Sequence, residues 1–190
     1  AALTAAILLV VGMPIAYWRA RGIHSIYFGV DFGLAAESDS DYTVIFVIGL
    51  DDRGNRWVID IFRERGLSYY DQKAAIIRLA LRYEPDMVFV ESNQAQRIFG
   101  ETLQTETDLP IKLFQTTELK HHEVLGIPAI RVHLENKKYK IPADYTDERT
   151  QELVTTWIGE MQAVTVLKGR VKCLAKHDDT VAALYICEQA

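Results

Sequence analysis

The order of apolar and polar positions divides the chain into a strand-rich first part and a later part in which helices alternate with short strands. Residues 25–31 are apolar at nearly every position, which is typical of a strand buried on both faces, and residues 42–50 are rich in β-branched and aromatic side chains. Residues 56–65 alternate in polarity, and residues 51–55 have the composition of a hairpin turn. These runs predict an antiparallel meander of three strands.

From residue 69 onward, the apolar positions recur at helical spacing. Ser68 is a suitable N-cap for a helix over residues 69–83. Further helices are predicted at residues 94–107, at 118–135 with an interruption at Pro128, at 147–160 and at 180–189, and further strands at 87–90, 111–115, 138–141, 163–167 and 170–174. The sequence therefore predicts an α/β fold with one mixed sheet, in which the meander is joined by parallel strands and helices cover both faces.

The amino-terminal residues 1–18 carry no charged side chain, and their length lies near the lower limit for a membrane span. Gly12 and Pro14 interrupt the apolar run and no basic residue precedes it, so neither a membrane span nor a signal sequence is predicted. The sequence also lacks an initiating Met. We expect residues 1–24 to be a linker or helix of a longer protein, and residues 25–190 to form one domain.

Composition limits the classes of partner. The 190 residues suffice for a single domain, and the net charge of -5 provides no global basic field for a polyanion. Any attraction to nucleic acid must therefore be local. Cys173 and Cys187 lack the spacing of a metal knuckle, which predicts two buried free thiols in a reducing compartment.

Acidic residues stand at three points where buried elements end or begin. Asp31 ends the first predicted strand, Glu91 ends the apolar run 87–90, and Asp178 and Asp179 open the last helix. Burying a carboxylate is costly unless it is compensated, and a hard divalent cation is a common compensation. Asp31 and Glu91 can meet only if their strands lie side by side. One of the two adjacent aspartates can cap the helix while the other faces a site, and the sequence leaves open which does so.

This pattern of carboxylates indicates hydrolysis of a phosphodiester with two Mg²⁺ or Mn²⁺ ions. A local group of basic side chains precedes the acidic pair and has the charge needed to bind a phosphate backbone. Its members are Lys168, Arg170, Lys172 and Lys176. An ordinary solvated hairpin would have the same composition, so both interpretations stay open.

Taken in order, the segments Gly29-Val-Asp-Phe-Gly, Val88-Phe-Val-Glu and His177-Asp-Asp resemble the nuclease domain of tailed-phage large terminase subunits. The resemblance implies an RNase H-like fold and an endonuclease that cuts concatemeric viral double-stranded DNA during genome packaging. It also implies a preceding ATPase domain in the same full-length protein. This chain has no Gly-x-x-x-x-Gly-Lys-Ser/Thr loop, which fits an excised fragment without that domain. Portal and small terminase subunits are the implied partners, and the host cytoplasm, rather than the mature virion, is the implied location.

The resemblance also implies residue roles. Asp31, Glu91 and Asp179 match the family's catalytic and metal-binding acids, and Asp178 is an additional or alternative ligand. His177 lies where a polar residue supports the site in some relatives.

Two alternatives remain. One is a Holliday-junction-resolvase-like or transposase-like nuclease, and the other is a non-catalytic docking module of a packaging motor. A sugar-kinase or actin-like ATPase is excluded, because it needs a second such domain and a second phosphate loop.

Overall fold

The structure is a computed structural model of the chain. It describes residues 14–33, 41–93, 95–115, 117–122, 126–141, 148–167 and 169–189. Most of the apolar amino-terminal segment and Lys168 lie outside these ranges, so the expectations about them stay predictions. Within the described ranges, no helix combines the length and the apolar character needed to cross a membrane.

A six-stranded mixed sheet forms the centre of the molecule. Its strands are β1 (Ile23–Asp31), β2 (Thr43–Asp51), β3 (Arg56–Glu64), β4 (Met87–Glu91), β5 (Ile111–Phe114) and β6 (Tyr139–Lys140). The spatial order is β5-β4-β1-β2-β3-β6. The β1–β2 and β2–β3 pairs are antiparallel, whereas the β1–β4, β4–β5 and β3–β6 pairs are parallel. The predicted meander with added parallel strands is therefore confirmed.

Helices cover both faces of this sheet, as predicted. They are α1 (Ile15–Arg19), α2 (Tyr69–Tyr83), α3 (Ala95–Glu106), α4 (Pro128–Glu135), α5 (Glu148–Ala163) and α6 (Asp179–Cys187). Side chains of α1, α2 and α3 join one buried cluster, and those of α4, α5 and α6 join the cluster on the opposite face. A separate hairpin, β7 (Val164–Leu167) and β8 (Arg170–Cys173), precedes α6.

Several boundaries differ from the sequence prediction. β1 begins at Ile23 rather than at residue 25, because Ile23 is buried and pairs with Asp51. The segment predicted as helical over 118–135 contains a 3₁₀ helix, Glu118–His121, and then α4, which Pro128 begins. Proline suits that position because the first turn of a helix leaves its N–H groups unbonded. Cys173 and Cys187 are free, as expected, but only Cys187 is buried, because Cys173 lies on the hairpin and is half-buried.

Gly29 determines how closely α6 approaches β1. A Cβ atom at this position would lie 2.1 Å from the carbonyl oxygen of Ala183 and 2.6 Å from the backbone nitrogen of Cys187. Only glycine therefore allows the α6 backbone to pack directly on the β1 backbone. This contact brings the start of α6, with Asp179, to the sheet edge where β1 ends in Asp31.

Candidate metal centre

Asp31 and Glu91 lie side by side at one edge of the sheet. The parallel register pairs Val30 of β1 with Val90 of β4, so the next residue of each strand carries its carboxylate to the same edge. Burial raises the pKa of Asp31 well above its usual range, and the charge of Glu91 and a hydrogen bond to Glu91 raise it further. A bound cation would relieve the repulsion between these two carboxyl groups.

Two amide side chains hold this pair. Asn93 Nδ2 donates to Glu91 Oε1 at 2.8 Å. Gln96 Nε2 lies 3.3 Å from both Asp31 Oδ1 and the carbonyl oxygen of Phe32, and Gln96 itself is buried. Each carboxylate thus keeps a fixed orientation, which a preorganised site requires.

Asp178 and Asp179 have different environments at the start of α6. Asp178 occupies the N-cap position, but its side chain makes no capping hydrogen bond. Glu160 of α5 supplies the cap instead, since its Oε2 accepts from the Thr180 backbone N–H at 2.9 Å and also from the Thr180 hydroxyl. Asp179 is buried. The expectation that one of the aspartates caps the helix with its side chain is therefore wrong for Asp178, because a distant residue takes that role.

Glu160 is itself held by a cation. Its Oε1 lies 3.3 Å from Arg63 Nη2, and both side chains are largely buried. The Arg63 guanidinium also stacks on the Tyr42 ring, 3.2 Å from its centroid. Charge and packing from β3 and the start of β2 thus fix the cap beneath Asp179.

A second group of candidate ligands surrounds Asp179. Among the described residues, Asp41, His177 and Asp179 each offer a ligand atom, and these atoms lie within 4.8 Å of one another. Asp41 reaches this place because Gly33 leaves space for it: a Cβ at Gly33 would lie 2.5 Å from the Asp41 carbonyl oxygen. The sequence does not single out Asp41, which is one of three acidic residues at positions 37, 39 and 41 after the first strand.

The neighbours of His177 determine its tautomer. Arg65 Nη2 lies 3.1 Å from His177 Nε2, and a guanidinium can only donate, so Nε2 accepts. The proton of the neutral ring then resides on Nδ1, which is 3.6 Å from Asp179 Oδ2. The Tyr42 ring packs edge-on against the imidazole at 5.3 Å. The supporting role of His177 stays a prediction.

The electrostatics of Asp179 favour a bound cation. Burial, followed by the charges of Asp41 and Glu160, raises the pKa of Asp179 to about 6, while Arg63 lowers it. Asp179 Oδ2 is buried and has no hydrogen-bond partner. A carboxylate oxygen in this state, among other carboxylates, is a suitable ligand for a hard divalent cation such as Mg²⁺ or Mn²⁺. The residues present therefore fit the expected metal.

The predicted basic residues lie on or beside the β7–β8 hairpin. Arg170, Lys172 and Lys176 are exposed. An isolated bridge pairs Arg170 with His122, so the hairpin is joined to the segment that contains the 3₁₀ helix. That segment carries Lys120, whose charge lowers the pKa of Asp31. Lys120 was not selected from the sequence, because nothing in its local pattern indicates that it lies beside the acids.

Comparisons with known proteins bear on this site. Residues 28–187 match the family described as the terminase RNaseH-like domain. Comparison with curated proteins gave no match.

Among solved structures, the chain is similar to the large terminase nuclease from thermophilic phage G20c with bound magnesium. The identity is 19% and the TM-score 0.64, over 87% of this chain and 81% of that one. It is also similar to the HK97 bacteriophage large terminase, at 12% identity and a TM-score of 0.56, over 94% of this chain and 43% of that one. The human cytomegalovirus terminase nuclease domain, soaked with Mn and bound to an inhibitor, gives 13% identity and a TM-score of 0.54, over 93% and 88% of the two chains.

At these identities, the structural likeness shows a shared RNase H-like fold. The family match adds membership, because it extends from β1 through α6 and so includes Asp31, Glu91 and Asp179. The chain belongs to the terminase RNase H-like domain family.

Proposed function

We propose that this domain is a metal-dependent endonuclease that cuts double-stranded viral DNA concatemers during genome packaging. The observation that carries the proposal is that the buried Asp179, whose Oδ2 has no hydrogen-bond partner, lies within electrostatic reach of the Asp31–Glu91 pair. Asp41, His177 and Asp179 form a ligand group of their own, to which Asp31 and Glu91 do not belong. Family membership supports a hydrolase acting on DNA. The similar proteins of known structure include a terminase nuclease with bound magnesium and another soaked with manganese.

The proposed ligands are Asp31, Glu91, Asp179 and Asp41, with Asp178 as an additional ligand. Two bound Mg²⁺ or Mn²⁺ ions would supply activation of the attacking water and neutralisation of the charge that develops on the phosphate. Asp31 would contribute to binding both ions, a role supported by its position beside Glu91 and by the effect of Asp179 on its pKa. Asn93, Gln96 and His177 would keep the carboxylates oriented.

The reaction is the hydrolysis of a phosphodiester. The oxygen of water forms a bond to phosphorus, the bond from phosphorus to one sugar oxygen breaks, and that oxygen takes a proton. Carboxylates that are ionised and oriented before substrate binds reduce the rearrangement that this step requires.

The wider setting of the proposed nuclease is a packaging motor in the host cytoplasm. The chain spans 43% of the HK97 large terminase that it matches, which leaves room in such a protein for the proposed ATPase domain. Portal and small terminase subunits are the further proposed partners. A motor that already holds DNA raises its effective concentration at a tethered nuclease, so the isolated domain, with a net charge of -5, needs only weak binding of its own.

Plasmid digestion tests the proposal. Wild-type protein is incubated with supercoiled plasmid and Mg²⁺, Mn²⁺ or Ca²⁺, beside Asp31→Asn and the control Asp52→Asn. Asp52 is 93% exposed in the turn at the opposite end of the β1–β2 pair, so its loss of charge should not matter. We expect wild type and Asp52→Asn to cut the plasmid with Mg²⁺ or Mn²⁺, and Asp31→Asn not to cut it. Activity that survives Asp31→Asn, or that needs no metal, would overturn the proposal.

A second substrate distinguishes the proposed function from the main alternative, a resolvase-like nuclease. A resolvase-like nuclease should cut a four-way DNA junction in preference to a linear duplex of the same sequence. We expect this domain to show no such preference.

A further inference from the structure

Lys120 lies at the same sheet edge as the carboxylates. The β5 strand ends at Phe114, which pairs with Glu91, and the Ser92 backbone N–H donates to the Phe114 carbonyl at 2.9 Å. The chain then enters the 3₁₀ helix that contains Lys120. The Lys120 N–H donates to the Thr117 carbonyl at 3.0 Å and its carbonyl accepts from the Ile127 N–H at 3.1 Å. The backbone therefore fixes Lys120 in the segment that follows β5, the strand paired with Glu91.

The side chain of Lys120 is half-buried, and its charge acts on Asp31. An ammonium group has three donors and no acceptor, so Lys120 cannot itself be a metal ligand. It suits an anion, and the anion that a nuclease site must hold is a phosphate of the substrate. A cation near metal-binding acids repels the metal. Phosphate binding therefore explains the position of Lys120 better than a purely structural role does.

The segment that contains Lys120 is joined to a strand with further basic residues. His122, two residues further on, forms the isolated bridge with Arg170 of β8. Arg170 and Lys172 are exposed on that strand. Lys120 therefore belongs to a segment that is joined directly to the strand carrying these two exposed basic residues.

We propose that Lys120 binds the phosphate that is cut, and that Arg170 and Lys172 hold the same DNA backbone further from the acids. This inference rests on the proposed nuclease function and deepens it. Lys120 would position the phosphate against the carboxylate site and offset the charge that develops on the phosphate oxygens.

Two readouts on the same variants test the role of Lys120. Lys120→Met keeps the length of the side chain and removes its charge, and Lys120→Arg restores a charge. Lys112→Met is the matched control, because Lys112 is an exposed lysine of β5 that lies over the Phe89 ring. The measurements are the cleavage rate of a linear duplex in Mn²⁺ and, by calorimetry, the affinity for Mn²⁺ alone.

Loss of a charged hydrogen bond to the phosphate should slow cleavage by Lys120→Met roughly ten- to hundredfold. Mn²⁺ affinity should stay equal or rise, because a repelling charge is gone. Lys120→Arg should recover part of the rate, and Lys112→Met should match wild type.

Three outcomes would overturn the proposed nuclease function or the proposed role of Lys120. If wild type cuts no DNA with Mg²⁺ or Mn²⁺, the proposed function fails and this inference fails with it. If wild type cuts and Lys120→Met cuts equally fast, only the role of Lys120 fails. If Lys120→Met loses cleavage and Mn²⁺ affinity together, Lys120 holds the site in shape and does not bind the phosphate.

Discussion

Glu160 of α5 accepts a hydrogen bond from the Thr180 backbone N–H at 2.9 Å and so caps, from another helix, the first turn that carries Asp179. The carboxylate of Glu160 is paired with Arg63 at 3.3 Å, and their side chains are 6% and 14% exposed. The position of one proposed metal ligand therefore depends on a buried ion pair that touches neither metal nor substrate.

Replacement of Glu160 by alanine should destabilise the fold and the site together. It leaves Arg63 buried without its partner, and breaking a buried pair in this way costs about 3–5 kcal/mol. Urea unfolding measures this loss. The control is Glu135→Ala, which removes a surface partner of Arg131 (the pair is 77% and 60% exposed) and should change stability by less than about 0.5 kcal/mol. Equal effects of the two substitutions would contradict the proposed role of Glu160.

Gly29→Ala should separate α6 from β1. The new methyl group would meet the Ala183 carbonyl oxygen at 2.1 Å, and backbone cannot move aside as a flexible side chain can. We expect a loss of about 1–3 kcal/mol in stability and a larger relative loss of cleavage, because Asp179 moves with α6. Gly159→Ala is the control, since a Cβ there meets nothing within 4 Å and helix propensity favours alanine by roughly 0.5–1 kcal/mol. If Gly29→Ala were as stable and active as Gly159→Ala, the close packing would not matter.

Asp179 should make the metal-free protein less stable as pH rises. Its pKa is raised by burial and by Asp41 and Glu160 from 3.8 to about 6, so between these values the folded protein holds a proton that the unfolded chain releases. The stability that this proton contributes is fully present below pH 3.8 and is lost as the pH rises to about 6. The free energy of unfolding should fall by roughly 3 kcal/mol over this range. Asp31, whose pKa is also raised, adds a loss of the same sign.

Thermal unfolding in EDTA across this pH range measures that slope. Asp179→Asn should flatten it, whereas Asp52→Asn should leave it unchanged. Mn²⁺ should raise the melting temperature of wild type most at pH above 6, where the acids are ionised and repel one another. An identical pH slope in wild type and Asp179→Asn would show that Asp179 is not the group responsible.

The basic hairpin should contribute salt-dependent, sequence-independent DNA binding. Arg170→Gln with Lys172→Gln removes two exposed charges of β8, and each lost phosphate contact should reduce the slope of log affinity against log salt by about 1. Binding of several unrelated duplexes at a series of salt concentrations measures this. Lys138→Gln is the control, because Lys138 donates to the Arg53 carbonyl near the opposite end of the sheet. An unchanged slope would mean that the hairpin is merely solvated.

The meeting of Asp31 and Glu91 could be predicted from sequence because it depends on local pattern. Two apolar runs that each end on a carboxylate place those acids at one edge whenever the strands pair in parallel, and β1 and β4 do so. Most helix and strand positions followed from periodicity in the same way, and the bounds predicted for α2 match those observed.

The rest of the site depends on tertiary contacts that no local pattern contains. Glu160 influences which of Asp178 and Asp179 is free to face the site. It lies 20 residues before Thr180 and reaches that residue through the packing of α5 on α6. Lys120 is placed by main-chain bonds to Thr117 and Ile127, in a segment whose helical pattern gave no sign of a 3₁₀ turn.

Asp41 was also missed, and its replacement tests whether it belongs to the metal centre. Its ligand atom lies within 4.8 Å of those of His177 and Asp179, so Asp41→Asn should weaken Mn²⁺ binding roughly tenfold or more and slow cleavage in parallel. Calorimetric titration with Mn²⁺ measures the first effect, and Asp52→Asn again provides the control. Raising Mn²⁺ should restore much of the lost cleavage, because the remaining acids still bind metal at higher concentration. Unchanged Mn²⁺ affinity in Asp41→Asn would remove Asp41 from the ligand set and leave Asp31, Glu91 and Asp179 to hold the metal.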